Sequence, residues 1–347
     1  MALVTMLLCA FCLTHAANSA IADDWASIEH CLGIIRQCQM SDGMIRMRGH
    51  GRTVWTVPYF SNFAAIALLA ANDAKQNSKD VVRVRHWLIW YAHNQEDDGT
   101  IYDREGTTLS YKANGKRDST DSYAATFLMV TWRYRQAIDQ RPTAEIINAA
   151  KRSFAAIQVV AQNDGLTIAK PDFAIKYLMD NIEVYQGLIE GATFFDSVGL
   201  ERESHKARQM ASQIAESLGK YWSEHDQHFA YALDMKGNLS GGLSRPYPHG
   251  LAQLFALSYV KPTRPGLWEK VNQVFKPGDK GLPIERWLIA AQRNAGPREL
   301  EDLRKATRDA SLRFTSKDVY VERPAMAVIS LLDGEARFAD VPMFNKK

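Results

Sequence analysis

From Asp24 onward the apolar residues recur at helical spacing, and they do so in two alternating styles. Segments such as "YFSNFAAIALLAA", "SYAATFLMVTW" and "HGLAQLFALSY" are apolar nearly all round, whereas "DVVRVRHWLIWYAH" and "SHKARQMASQIAESLGKYW" carry one charged side. A helix apolar on every face is buried, and one with a charged stripe faces water. The periodicity predicts twelve helices, roughly at 24–38, 58–73, 78–95, 119–138, 142–162, 181–198, 201–222, 247–260, 265–275, 283–294, 297–313 and 323–333. Even-numbered members are the apolar ones. Clean strand alternation is confined to brief pieces near Met44 to Met47 and Phe229 to Leu233.

The connections alternate too. Links from even to odd helices are short turns such as "IDQRPT" and "NAGPRE". Links from odd to even helices are long, as in "SDGMIRMRGHGRTVWTVP" and "NDGLTIAKPDFAIKYLMDN". An Asp-Gly element recurs in them at Asp42, Asp98 and Asp164, each time past a helix end, where glycine suits a left-handed cap. This is a weak internal repeat. The arrangement that satisfies both regularities is an all-α toroid of six helical hairpins, an (α/α)6 ring with even helices inside and odd helices outside. No Pro-, Ser- or Gly-rich linker interrupts the series, so residues 21–347 read as a single domain.

In such a ring every long loop leads into the N-terminus of an inner helix, so these N-termini converge at one end. Unpaired N–H groups and the positive dipole end favour carboxylates and polar ligands there. Asp118 and Asp121 stand at the start of the fourth helix, and Asp180, Asn181 and Glu183 at the start of the sixth. Asp-x-x-Glu is also a capping-box pattern, and a capping role and a functional one coexist at this position. Lys170, Asp172 and Lys176 lie on the loop expected to overhang the same rim, where a lysine could meet an acidic sugar. Trp55, Tyr59, Tyr102, Tyr123, Tyr185 and Tyr247 fall in or just after the long loops. Aromatic planes stack on the C–H faces of sugar rings while carboxylates and amides take the hydroxyls, so this mixture suits a carbohydrate.

Composition changes the picture only by exclusion. The 347 residues are 46% hydrophobic and 23% charged, with 42 basic against 39 acidic side chains, a formal charge of +3, and no long basic run. No nucleic-acid footprint follows. Residues 1–20, "MALVTMLLCAFCLTHAANSA", are apolar and end in small residues, and read as a signal peptide that predicts a secreted or periplasmic protein without a membrane span in the mature chain. Cys9 and Cys12 lie within it. Cys31 and Cys38, seven residues apart on one helix, would stand roughly 10 Å apart, beyond disulfide reach. They read as structural thiols, and no metal or cofactor motif is present.

"YFSNFAAIALL", "GTIYD", "DSTDSYAATFL", "DGLTIAKPDF" and "KYLMDNIEVYQGL" together resemble bacterial members of the six-hairpin glycosidase-like superfamily, which have the (α/α)6 barrel. The resemblance covers about residues 55 to 200. More distantly, "LMDNIEVYQGL" resembles the segment of unsaturated glucuronyl hydrolases in which an aspartate opens an inner helix and acts as general acid and base. The resemblance implies Asp180 in the catalytic place and Asp121 in the supporting one; Glu183 is not part of that pattern. The expectation is a glycosidase working on an oligosaccharide, possible substrates including acidic ones. Two alternatives stand beside it: a carbohydrate-binding or assembly protein without catalysis, and an epimerase or lyase, for which His249 is the one obvious histidine on an inner helix.

Overall fold

The computed structural model describes residues 24–332 and 338–343. The predicted signal segment, with Cys9 and Cys12, lies outside them. Twelve α-helices occur among the described residues: α1 (24–38), α2 (Pro58–Lys75), α3 (Ser78–Asn94), α4 (Asp121–Gln136), α5 (Ala144–Val160), α6 (Leu178–Ser197), α7 (Glu201–Ser217), α8 (Leu251–Tyr259), α9 (Leu267–Val274), α10 (Ile284–Asn294), α11 (Pro297–Ser311) and α12 (Glu322–Leu331).

Burial separates them as the two hydrophobic styles require. On α2 every residue from Ser61 to Asn72 is buried, whereas on α7 only a stripe that includes Ser204, Ala207, Ala211 and Ile214 is, at helical spacing. The even helices form the inner ring. Going round it, α2 packs on α4, α4 on α6, α6 on α8, α8 on α10, α10 on α12, and α12 returns to α2. Outer helices lie against their hairpin partners, α3 on α2, α5 on α4, α7 on α6 and α11 on α10. The chain therefore has the (α/α)6 toroid. Cys31 and Cys38 are both free and buried, and burial pushes their thiols up to about 12.

Each Asp-Gly element turns out to be a tight turn several residues beyond the helix end rather than a cap on the helix itself. The Asp42, Asp98 and Asp164 carboxylates accept the amides of Met44, Thr100 and Leu166, two residues on. The following glycines have φ of +100°, +85° and +86°. A Cβ there would come within 2.4 Å of the His86 carbonyl oxygen, 2.1 Å of that of Arg152 and 2.7 Å of that of Gln213. Those carbonyls belong to α3, α5 and α7. The glycine is needed twice over, for the positive φ and for its contact with the next outer helix.

The long loops carry more strand than periodicity predicts. β1 (Thr53–Thr56), β2 (Arg104–Thr107) and β3 (Ser110–Ala113) form an antiparallel sheet in that order. Lys176–Tyr177 pairs with Ala232–Leu233, which in turn pairs with Leu239–Ser240. Met44 to Met47 forms only an isolated bridge, Ile45 to Gln39. Helix α8 begins later than predicted, after a π-type turn over Pro246–Gly250. Residues 338–343 plug the ring: Phe338 meets Phe63 of α2 and Tyr259 of α8 edge-on, and Val341–Pro342 pairs with Val260–Lys261.

Candidate active site

The inner-helix N-termini surround a cavity of about 460 Å³, within the range of small-molecule sites. Its walls include Trp55, Tyr59, Tyr123 and Tyr247, and its polar groups include Asp103, Asp118, Ser122, Asp180, Arg286 and Glu322. Long loops deliver these side chains because each loop ends where an inner helix begins.

Asp180 sits in the first turn of α6 and faces the cavity. The helix dipole there favours a carboxylate by only about 0.3–1 kcal/mol. Burial works in the opposite direction, reinforced by the charges of Asp121, Glu183 and Asp118, and the Asp180 carboxyl is pushed well above its ordinary range. The opposing effects win, so the protonated form is favoured relative to an ordinary aspartate.

Asp121, the first residue of α4, is fully buried and does not line the cavity. Its Oδ2 accepts the Thr167 hydroxyl at 2.7 Å and its Oδ1 the Ser122 amide at 2.8 Å, while burial raises it to about 7. Asn181 is equally buried, taking the Thr167 amide at 2.8 Å and donating to the carbonyls of Thr167 and Tyr177. These two residues anchor the 164–169 segment beneath Asp180. Glu183 accepts the Tyr59 hydroxyl at 2.6 Å and is raised by burial to about 7. The capping-box pattern is therefore not used as such: neither Thr120 before α4 nor Tyr177 before α6 makes a side-chain cap, and both acidic groups are spent on tertiary partners.

The three rim residues of the preceding loop do not enter the cavity. The Lys176 ammonium is buried on Asp164 Oδ2 at 2.6 Å, Lys170 Nζ donates to the Arg117 carbonyl at 3.1 Å, and Asp172 pairs with Arg117 at 3.5 Å. Each lysine is drawn to an oxygen of the loop framework, which corrects the expectation that they reach into the cavity. Among the aromatics, Trp55 and Tyr247 line the rim and stay exposed, at 38% and 59%, while Tyr123 is buried and bonds Asp103 at 3.0 Å. Tyr102 lies under the Arg117 guanidinium, and Tyr185 packs half-buried against the core. His249 stacks on Tyr231 outside the cavity, and no histidine lines it.

Asp103, Arg286 and Glu322 were not singled out by sequence reasoning. Asp103 closes "GTIYD" and is raised to about 6, by burial first. Glu322 is the first residue of an inner helix, the same position that marks Asp121, so the rule that located Asp121 extends to it. Arg286 has no such signal. Among the described residues no group of His, Cys, Asp and Glu could hold a metal ion, and no helix is long and apolar enough to cross a membrane.

The chain matches no family model and no curated protein sequence. Solved structures do match. An α-amylase from Clostridium perfringens aligns with TM-score 0.57 at 9% identity, over 88% of this chain and 97% of its own. An α-1,6-mannanase of Salegentibacter sp., solved with α-1,6-mannotriose, aligns with TM-score 0.53 at 11% identity, over 92% and 98%. An uncharacterized conserved protein from Thermus thermophilus aligns with TM-score 0.59 at 11% identity, over 88% and 99%. At these identities the likeness concerns the fold, which does not by itself carry an activity. The chain has the six-hairpin fold, shared with glycosidases and with that uncharacterized protein.

Proposed function

We propose that this protein is a glycoside hydrolase that cleaves an oligosaccharide in the toroid's cavity, with Asp180 as general acid. The observation that carries the reading is Asp180 itself, a carboxyl at an inner-helix N-terminus that lines the cavity, with its proton affinity raised by burial and by the neighbouring charges of Asp121, Glu183 and Asp118. Protonating the departing glycosidic oxygen requires such a group at neutral pH. Trp55, Tyr59, Tyr123 and Tyr247 supply the aromatic planes that a sugar ring stacks on. Sugar-binding fold neighbours, the mannanase among them, support a carbohydrate as ligand. The first twenty residues support a secreted or periplasmic location.

A carbohydrate-binding protein without catalysis would share the aromatic walls, and turnover separates the two readings. An epimerase relying on ring histidines has less support, because His249 stands outside the cavity. The test is a screen of the purified protein against plant and bacterial oligosaccharides, unsaturated uronides included. Asp180→Asn is expected to lower kcat about 100- to 10,000-fold without lowering the melting temperature. Near-normal turnover in that variant would remove Asp180 from the role.

A further inference from the structure

Cleavage with Asp180 as acid calls for a second carboxylate, placed either close by as a nucleophile or across the sugar as a base. Asp121 cannot reach a substrate, being fully buried with both oxygens engaged. Three other carboxylates line the cavity: Asp103, Asp118 and Glu322. Asp103 and Asp118 belong to the loop that leads into α4, the ring neighbour of α6, and so stand on the Asp180 side. Asp118 is close enough for its charge to act on Asp180.

Glu322 stands elsewhere. The inner ring runs α2, α4, α6, α8, α10, α12 and closes on α2, so α12 is three places from α6 in either direction. The first residue of α12 is thus diametrically opposed to the first turn of α6, with the cavity between them. Beside Glu322 is the Arg286 guanidinium, only 5% exposed, lining the same cavity and packed 4.5 Å from the Phe255 ring centroid and 5.5 Å from that of Phe63. Arg286 forms no salt bridge with a described carboxylate; its side chain meets Tyr259, and its charge acts on Glu322, Glu183 and Tyr59 around the cavity. Burial raises Glu322, and Arg286 is the leading influence that draws it back toward the ionised form. Glu322 also accepts no hydrogen bond from a described residue, which leaves its oxygens available to a water.

We propose that Glu322 is the second catalytic carboxylate, a general base that acts from the face of the sugar opposite Asp180 and makes the reaction an inverting one. The proposal rests on the hydrolase reading given above. A water oxygen attacks the anomeric carbon and yields its proton to Glu322; the bond from that carbon to the glycosidic oxygen breaks, and the leaving oxygen takes the proton of Asp180. Glu322 ends protonated and Asp180 ionised, and proton exchange with solvent restores both. No further reactant is needed.

The experiment takes the oligosaccharides cleaved in the screen and reads the first-formed anomer by proton NMR before mutarotation. The expected product has inverted configuration. Glu322→Gln, which keeps side-chain shape, is expected to lose about 100- to 10,000-fold in kcat without a fall in melting temperature. Retention of configuration overturns the proposal on the wild-type protein alone, whatever the variant does. So does a Glu322→Gln enzyme within about threefold of wild type, a ratio far below general-base contributions. Either result leaves Asp180 and the hydrolase reading intact, whereas the absence of turnover on every oligosaccharide removes that reading and this one with it.

Discussion

Tyr59 donates its hydroxyl hydrogen to Glu183 Oε1 over 2.6 Å, joining α2 to α6, two inner helices that have α4 between them. The acceptor is buried, and its proton affinity is raised to about 7, as is that of Asp121, with Asp103 near 6. For an acid whose folded pKa is raised, the native state holds a proton that the unfolded chain has released. Stability from these groups is therefore full below their unfolded values, near pH 4, and is lost as pH rises through 7. Melting temperature is expected to fall between pH 5 and pH 8. Glu183→Gln keeps an acceptor for Tyr59 and should flatten that slope, gaining on the order of 1–3 kcal/mol at pH 8 and almost nothing at pH 4. A series of thermal melts across this range checks it, and a wild-type stability that climbs with pH would contradict it.

Thr167 links the starts of α4 and α6, its hydroxyl meeting Asp121 at 2.7 Å and Asn181 at 3.3 Å. Thr167→Val keeps the shape and leaves the buried Asp121 Oδ2 without its donor, while Asn181 keeps the Thr167 amide, at a cost of about 1–3 kcal/mol. Thr167→Ser should restore most of it. Denaturant titration of the two variants distinguishes this from simple loss of a methyl contact, which would hurt serine and spare valine.

Lys176 is expected to matter for the fold and not for the ligand. The residue is 4% exposed and its ammonium sits on Asp164, whose one remaining cationic partner, if Lys176 is removed, is Lys220 at 3.9 Å. Lys176→Met should destabilise by about 1–3 kcal/mol while leaving oligosaccharide affinity unchanged. Calorimetric binding of matched acidic and neutral sugars decides the matter: a selective tenfold loss for the acidic one, at constant melting temperature, would mean that the lysine reads substrate after all.

Trp55 occupies the rim, meeting Tyr320 edge-on at 5.4 Å between ring centroids, with one face of the cavity beside it. Because it is substantially exposed, Trp55→Ala should spare the fold and weaken binding of longer oligosaccharides, by about 1 kcal/mol for a lost stacking contact. Affinity measured against chain length provides the check, and a loss equal for mono- and oligosaccharides would speak against a rim role.

The ring was legible in the sequence because burial leaves different marks on the two sets of helices. A helix such as α2, enclosed on all sides, has no polar stripe to show, while α7 keeps one. Asp180 was legible for the same reason, since a long loop ending on an apolar helix locates an N-terminus at the cavity. The β1–β3 sheet was not, because its strands lie in loops and β1 pairs with β2 across a gap from Thr56 to Arg104. Lys176 was misread because its partner, twelve residues earlier, is identified only by the folded loop. Arg286 gave no sign at all: a charged residue two positions into α10 reads as ordinary surface until the two phenylalanines packed around it are known.

The three Asp-Gly turns have a geometric consequence for the whole ring. Each sets the distance between one outer helix and the next by bringing a bare glycine Cα up to a carbonyl oxygen, at Gly43 on α3, Gly99 on α5 and Gly165 on α7. They act as spacers of fixed thickness on the first half of the circumference. A closed ring has no free end to absorb an error, so a methyl group added at any one of them presses two neighbouring outer helices apart with the ring still obliged to close at the seam where α12 meets α2. Glu322 and Tyr59 stand at that seam, each at the start of its helix. Three residues that do not line the cavity thus space the helices around it.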